Sequence, residues 1–275
     1  MEDLPAELVE AVVRREAVLF AGAGVSAVLD VPTAQELVEL LAREIGYDVD
    51  ILRLYGELPA LAEFALRELP PAKYAAFINK LASSFRRSPA AVAGSAVHES
   101  IVDLDFRLMY TTNYDDLIET AYQAAGKELK TIRAIEDLKE TNSAVPQLVK
   151  FHGDFSAPST MILTEASYFD RLQVDSPLDI RFRADVIGRP ILFVGYSLKD
   201  VNLRYFLYRL SILWASAAKG AAPTSYVVVP QFNPVEQTIL ENRGVQTIVA
   251  AASNPAHGLQ EVLASLRNAV DRRRA

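Results

Sequence analysis

The feature that most constrains the fold is a continuous apolar run, Val18, Leu19 and Phe20, that passes without a break into Gly22, Ala23, Gly24, Val25 and Ser26. An apolar run with no polar alternation predicts a strand buried on both faces of a parallel sheet. Residues with almost no side chain at its carboxyl end let backbone N–H groups approach an anionic group closely. The spacing lacks the third glycine of a dinucleotide fingerprint and the lysine of a P-loop. Taken alone, GAGVS fits a tight strand-to-helix turn in any α/β protein equally well.

Further apolar runs follow the same plan. Strands are predicted at Arg107–Thr112, Lys130–Ile135, Leu148–Phe151, Met161–Leu163, Ile191–Val194, Ser225–Val229 and Val245–Val249. Helical spacing is read over residues 5–16, from Thr33 (with Glu36 at capping-box distance), from Asp115, after Asp200, and over 258–270. Residues 48–100 carry no strand signal and read as consecutive short helices punctuated by Pro59, Pro70, Pro71 and Pro89. Strands alternating with helices predict a three-layer, Rossmann-like parallel sheet with helices on both faces. The reading is one domain over residues 1–275 with a helical insertion at about 48–100.

Composition excludes several classes. The chain has no cysteine, so disulfides, a thiol nucleophile, a cysteine zinc subdomain and iron–sulfur ligation are all out of reach. Three histidines leave little for any other metal site, and none is expected. A net charge of −7 argues against direct nucleic-acid binding. No stretch has the length of a membrane span, and MEDLPAELVE has no basic leader pattern, so a cytoplasmic protein is expected.

Ligands of such sheets sit beyond the carboxyl ends of the strands. Four predicted strands end in small, polar clusters: GAGVS at 22–26, TTNYD at 111–115, FHGD at 151–154 and GYSLKD at 195–200. Each residue has a bland reading as a turn or cap. Together they outline one crevice with a glycine floor, an amide, an imidazole and carboxylates. His98 and His257 lack such a context and are read as structural.

This set of motifs, in this order, resembles the sirtuin-like (silent-information-regulator) family, and more closely its bacterial branch whose members hydrolyse NAD in anti-phage defence. The resemblance implies that Gly22, Ala23, Gly24 and Ser26 hold the pyrophosphate of NAD, which is the substrate. It implies that Asn113 and Asp115 lie near the nicotinamide ribose, that His152 is catalytic, and that Gly195 and Ser197 serve the adenine ribose. Asp115 is equally readable as a helix cap. The family's lysine deacetylases carry a four-cysteine zinc site and a Phe-Arg pair after the glycine turn, both missing here, where AVLDVPTAQEL follows. The implied activity is therefore NAD glycohydrolysis to nicotinamide and ADP-ribose, or a cyclised form. The alternatives are a non-catalytic NAD or ADP-ribose binding module and, further off, a zinc-independent deacylase. An NAD-consuming enzyme must be gated, which implies a homo-oligomer or a separate regulatory partner, for example an ATPase/helicase or Argonaute-type sensor. Tyr55, Phe64 and Tyr74 in the helical stretch are candidate contact residues or core.

Overall fold

Among the described residues, seven parallel strands form one sheet in the order β3-β4-β2-β1-β5-β6-β7. They are β1 (Val18–Ala21), β2 (Leu108–Thr111), β3 (Lys130–Ile132), β4 (Gln147–Lys150), β5 (Ile191–Val194), β6 (Ser225–Val229) and β7 (Val245–Val249). The computed structural model describes residues 4–55, 57–140, 144–171, 176–196, 201–215, 222–250, 252 and 254–275.

Alternate residues of each central strand enter opposite cores, which is why the middles of these strands are apolar on both faces. Leu19, Met109, Leu148, Leu192 and Tyr226 pack on one face. Val18, Phe20, Tyr110, Val149, Phe193 and Val227 pack on the other. The first core is covered by the helices Ala6–Val13, Ala96–Leu104, Leu117–Ala124 and Pro255–Arg274. The second is covered by Pro177–Val186 and Val201–Ala215, with Leu240 of Pro234–Glu241. Its centre is aromatic: Phe182 stacks on Phe206 at 4.4 Å and meets Tyr110 at 4.5 Å. At about 25 cal/mol per Å² of buried apolar surface, two such cores supply most of the force that holds the layers together.

Between β1 and β2 the chain is helical, with Leu58–Glu68 and Pro71–Phe85 the longest elements within 48–100. Ala34–Ile45 opens on the reciprocal Thr33–Glu36 capping box and closes on left-handed Gly46. Pro59, Pro71 and Pro89 each stand in the first turn of a helix, where a missing N–H costs nothing. Met161–Leu163 is not a strand. Ile162 instead donates its N–H to the His152 carbonyl at 2.9 Å, while Ile162 and Leu163 are buried, so an apolar pair that reads as strand serves to brace a loop.

The direction of strand addition reverses at β1. From β1 the chain builds outward through β2, then resumes on the other side with β5. That switch point is where an open α/β sheet leaves a crevice beyond its carboxyl edge.

Candidate functional site

Register puts all four polar clusters on one row. Ala21 pairs with Thr111 and with Val194, and Thr111 pairs with Lys150. Gly22, Thr112, Phe151 and Gly195 are therefore each the first residue past the same line across the sheet. Asn113 and His152 are each two residues past the Thr111–Lys150 pair, on strands that lie about 4.8 Å apart.

The glycine turn is shaped by its neighbour across the switch point. Gly22 donates to the Val194 carbonyl at 2.9 Å and Gly24 to the Gly195 carbonyl at 2.8 Å. A Cβ on Gly24 would lie 2.7 Å from the Gly195 Cα, and one on Gly22 would lie 2.3 Å from the Tyr196 ring. These glycines thus permit close approach of two loops, and the N–H groups of Gly22 and Gly24 are spent within the protein. Tyr196 in turn stands edge-on to Phe20 at 5.5 Å.

Beside them opens a cavity of about 460 Å³, lined by Ala23, Gly24, Ala27, Thr112, Gly195, Tyr196, Pro230, Ala250 and Ala256 among others. Small side chains at the switch point give it room for an extended ligand. Ala23, Gly24 and Gly195 line it, whereas Ser197 lies outside the described residues.

Behind this floor four of the sequence-derived residues form one bonded group. Asn113 donates one amide hydrogen to the Gly22 carbonyl at 3.0 Å and the other to Ser26 Oγ at 2.9 Å. Ser26 donates to Asp115 Oδ2 at 2.8 Å, and Asp115 Oδ1 accepts the Leu117 N–H at 3.2 Å. Asp115 therefore serves the helix end with one oxygen and joins this bonded group with the other. The Gly22 carbonyl can only accept, which fixes the amide's orientation and leaves Asn113 Oδ1 as its remaining acceptor. Burial pushes the Asp115 carboxyl above the usual range, against the pull of Lys150 and Ser26.

His152 is 2% exposed, its ring stacked on Phe151 at 6.0 Å and edge-on to Tyr168 at 5.3 Å. Neither Asn113 nor His152 is among the residues lining the 460 Å³ cavity. His98 is buried with Nδ1 2.8 Å from Ser95 Oγ, and burial lowers its pKa to about 4. His257 stands exposed beside Glu261.

Sequence reasoning missed the charge beneath the site. Lys150 ends β4 with its side chain wholly buried, 3.3 Å from Asp154 Oδ2 and 3.5 Å from Glu119 Oε1, and it donates to the Asp115 carbonyl. Arg133 Nε lies 3.5 Å from the same Asp154 oxygen. Burial pushes Asp154 up, yet Lys150, the Ser156 hydrogen bonds and Arg133 together hold it below the ordinary carboxylate value. Glu119 is pushed up, chiefly by burial. The available signal was a lysine closing an apolar strand four residues before an aspartate. Asp115 and Asp154 also line a second cavity of about 370 Å³ with Asn79, Arg86 and Tyr114. Among the described residues, no three or more His, Asp or Glu are grouped as a metal site requires. Nor is any helix there long and apolar enough to cross a membrane.

Known proteins resemble the chain in sequence and in fold. The chain is 30% identical over 199 residues to the NAD(+) hydrolase ThsA of Acinetobacter baumannii (strain 532279), covering 70% of this chain and 39% of that protein. It is 31% identical over 203 residues to the NAD(+) hydrolase ThsA of Bacillus cereus (strain MSX-D12), covering 72% and 40%. Defense-associated sirtuin 2 of Bacillus subtilis is 28% identical over 260 residues, which are 90% of this chain and 24% of that protein. The chain thus spans about two-fifths of the length of the first two relatives, and less of the third. The crystal structure of a Sir2 homolog–NAD complex superposes with a TM-score of 0.52 at 15% identity, covering 99% of this chain and 96% of that one, and so shares the fold. A family model described as a SIR2-like domain matches residues 107–248, and the chain belongs to that family.

Proposed function

We propose that the chain is a single sirtuin-like NAD-binding domain, with the helices of 48–100 as an insertion, and that it cleaves NAD to nicotinamide and ADP-ribose or a cyclised form. The observation that carries this reading is the register row: four loops leave the sheet together at its switch point, with Asn113 and His152 at equivalent positions on adjacent strands. The relatives named NAD(+) hydrolase support the reaction and the one named defense-associated sirtuin supports a setting in defence; the motif resemblance makes that setting anti-phage.

Cleavage of the nicotinamide–ribose bond passes through an oxocarbenium-like state, and nicotinamide leaves neutral. No acid is needed at the leaving group. The site must instead position the ribose, tolerate developing positive charge and deliver water. In this reading Asn113 Oδ1 accepts a hydrogen bond from the ribose hydroxyl or the attacking water, because both amide hydrogens are already engaged. His152 takes the proton from that hydroxyl or water. Ala23, Gly24 and Gly195 line the cavity that we assign to the middle of NAD, Ser26 holds Asn113 from behind, and Ser197 is assigned to the adenosine end. Asp115, bonded to Ser26, holds the Ser26–Asn113 pair in place behind that acceptor.

Gating by self-association or by a regulatory partner belongs to the same proposal. Of the aromatics considered for that contact, Phe64 packs edge-on to Tyr47 at 5.3 Å and Tyr74 rests against the core. The side chain of Tyr55 lies outside the described residues.

The test is incubation with NAD, alone and with candidate partners, and chromatography for nicotinamide, ADP-ribose and cyclic ADP-ribose. Release of nicotinamide is expected, falling about 10²–10⁴-fold in His152→Ala with NAD affinity kept. Undiminished binding with no cleavage in any assembly would favour a binding module instead.

A further inference from the structure

We infer that Lys150 is a positioning residue, a buried ammonium that fixes the Asn113–Asp115 loop after β2 and the His152-bearing turn after β4 relative to each other. This rests on the reading of Asn113 and His152 given above. The ammonium reaches both loops at once. It donates to the main-chain carbonyl of Asp115 and pairs at 3.3 Å with Asp154, so it bridges the end of one loop and the end of the other.

His152 sits at the middle of a turn that Lys150 closes twice. Gly153 N–H donates to the Lys150 carbonyl at 3.2 Å, and the Lys150–Asp154 ion pair spans the whole turn. Gly153 is in the left-handed region at φ 90°, and a Cβ there would lie 2.3 Å from the Thr160 carbonyl. The turn is therefore braced from outside by Thr160–Ile162 and from inside by the ammonium. The Asn113 loop is attached to it by Phe155 N–H, which donates to the Tyr114 carbonyl at 3.1 Å. Movement of Lys150 would thus act on both loops.

A fully buried ammonium is held only by good partners, and removing it leaves carboxylates without compensation. Loss of stability alone would therefore not identify a positioning role. Glu119, the third partner at 3.5 Å, allows the two effects to be separated. Lys150→Met removes the tether and unbalances the charge. Lys150→Met with Glu119→Gln removes one positive and one negative group, so charge balance returns while the tether stays absent.

The experiment compares parent, Lys150→Met, Lys150→Met/Glu119→Gln and Asp154→Asn. The readouts are thermal midpoint, NAD affinity, kcat for NAD cleavage and the imidazole NMR resonances. The chain has three histidines, so each ring is resolvable and His98 and His257 serve as internal controls. Expected is a kcat lower by about 10²-fold in Lys150→Met with NAD affinity little changed, as a displacement of about 1 Å produces. The double variant should recover its thermal midpoint but not its kcat, and the His152 resonance alone should stay displaced. Recovery of kcat to within about three-fold of the parent, with His152 back at its parental position, would overturn the inference and leave only charge balance. If Lys150→Met does not fold, the double variant and Asp154→Asn carry the same readouts. An unmoved His152 resonance and parental kcat in those variants overturn it equally. If the parent cleaves no NAD, the hydrolase reading fails, while the His152 resonance still decides whether Lys150 holds that turn.

Discussion

Asn113→Ala should cost stability and turnover by different amounts, and the structure sets the first. The side chain makes two hydrogen bonds, to the Gly22 carbonyl at 3.0 Å and to Ser26 Oγ at 2.9 Å. Neither partner is orphaned by the truncation, because Gly22 O keeps the Val25 N–H at 3.0 Å and Ser26 keeps Asp115 at 2.8 Å. The loss is then about 1 kcal/mol per bond, or about 2 kcal/mol in total, with little added desolvation penalty. For a chain of this size that corresponds to a fall in thermal midpoint of about 4–8 °C. A fold with the usual ~5–15 kcal/mol of stability survives such a loss at assay temperature. A drop of about 10²–10⁴-fold in nicotinamide release, or roughly 3–5 kcal/mol of barrier, would therefore belong to the chemistry. Calorimetric NAD affinity beside a chromatographic rate separates the two. Asn113→Asp sharpens the test: it keeps the shape and an acceptor but turns a carboxylate oxygen toward the Gly22 carbonyl. It should be less stable than Asn113→Ala despite its closer shape. Hydrolysis by Asn113→Ala within about three-fold of the parent would refute the assigned role. Parental stability in Asn113→Asp would refute the orientation assigned to the amide.

Two further outcomes follow from the same geometry. Gly195→Ala, with φ at 60° and a Cβ that would sit 2.4 Å from the Val25 nitrogen, should lose at least the ~1–2 kcal/mol of left-handed strain, and NAD affinity should fall with it. Gly24→Val should do the same through the Gly195 backbone, and a normal melt with normal affinity in either variant would contradict the close packing of the two loops. Acidification tests His98: its folded pKa of about 4 lies below the unfolded 6.5, so its contribution is present above pH ~6.5 and is lost as pH falls toward ~4. Between pH 7 and pH 5 that amounts to about 2 kcal/mol, visible as a lower urea midpoint that His98→Leu should largely remove. Glu119, with its pKa raised by burial, shifts in the opposite sense in both proteins, so the difference between them isolates the histidine.

The fold was legible because its strands are local signals. Val18–Ala21, Ile191–Val194 and, after its opening serine, Ser225–Val229 are short, apolar or aromatic, and bounded by small or proline residues, which leaves a two-face-buried strand as the economical reading. Thr33 and Glu36 announced their helix by a three-residue spacing, and the capping box is present. Met161–Leu163 failed for the same reason that the others succeeded. Two buried apolar residues look alike whether they enter a sheet or plug a loop, and only the non-local bond from Ile162 to His152 decides. The aspartate of the second motif had two readings, cap and site; one of its oxygens accepts from the helix end at Leu117 and the other from Ser26, so the cap does not use up the carboxylate.

The site was legible in its parts and illegible in its electrostatics, and the difference has a physical origin. Turn chemistry and glycine spacing act over a few residues, so GAGVS or FHGD can be read where they stand. Charge compensation acts through space. Glu119 is on a helix, Lys150 at a strand end and Arg133 just past β3, and nothing in their sequence separations of 14 to 31 residues marks them as neighbours. Strand order supplies the missing information, because β4 lies between β3 and β2 and so collects side chains from both. Once that order is known, a lysine at the end of a buried strand must find anions in the loops beside it or lose its charge. The anions within reach are Asp154 of the third motif and Glu119 on the helix that follows the second. The residues that carry the proposed chemistry and the ammonium that holds their loops are thus consequences of one topological fact, the parallel pairing of β2 with β4 at Thr111 and Lys150.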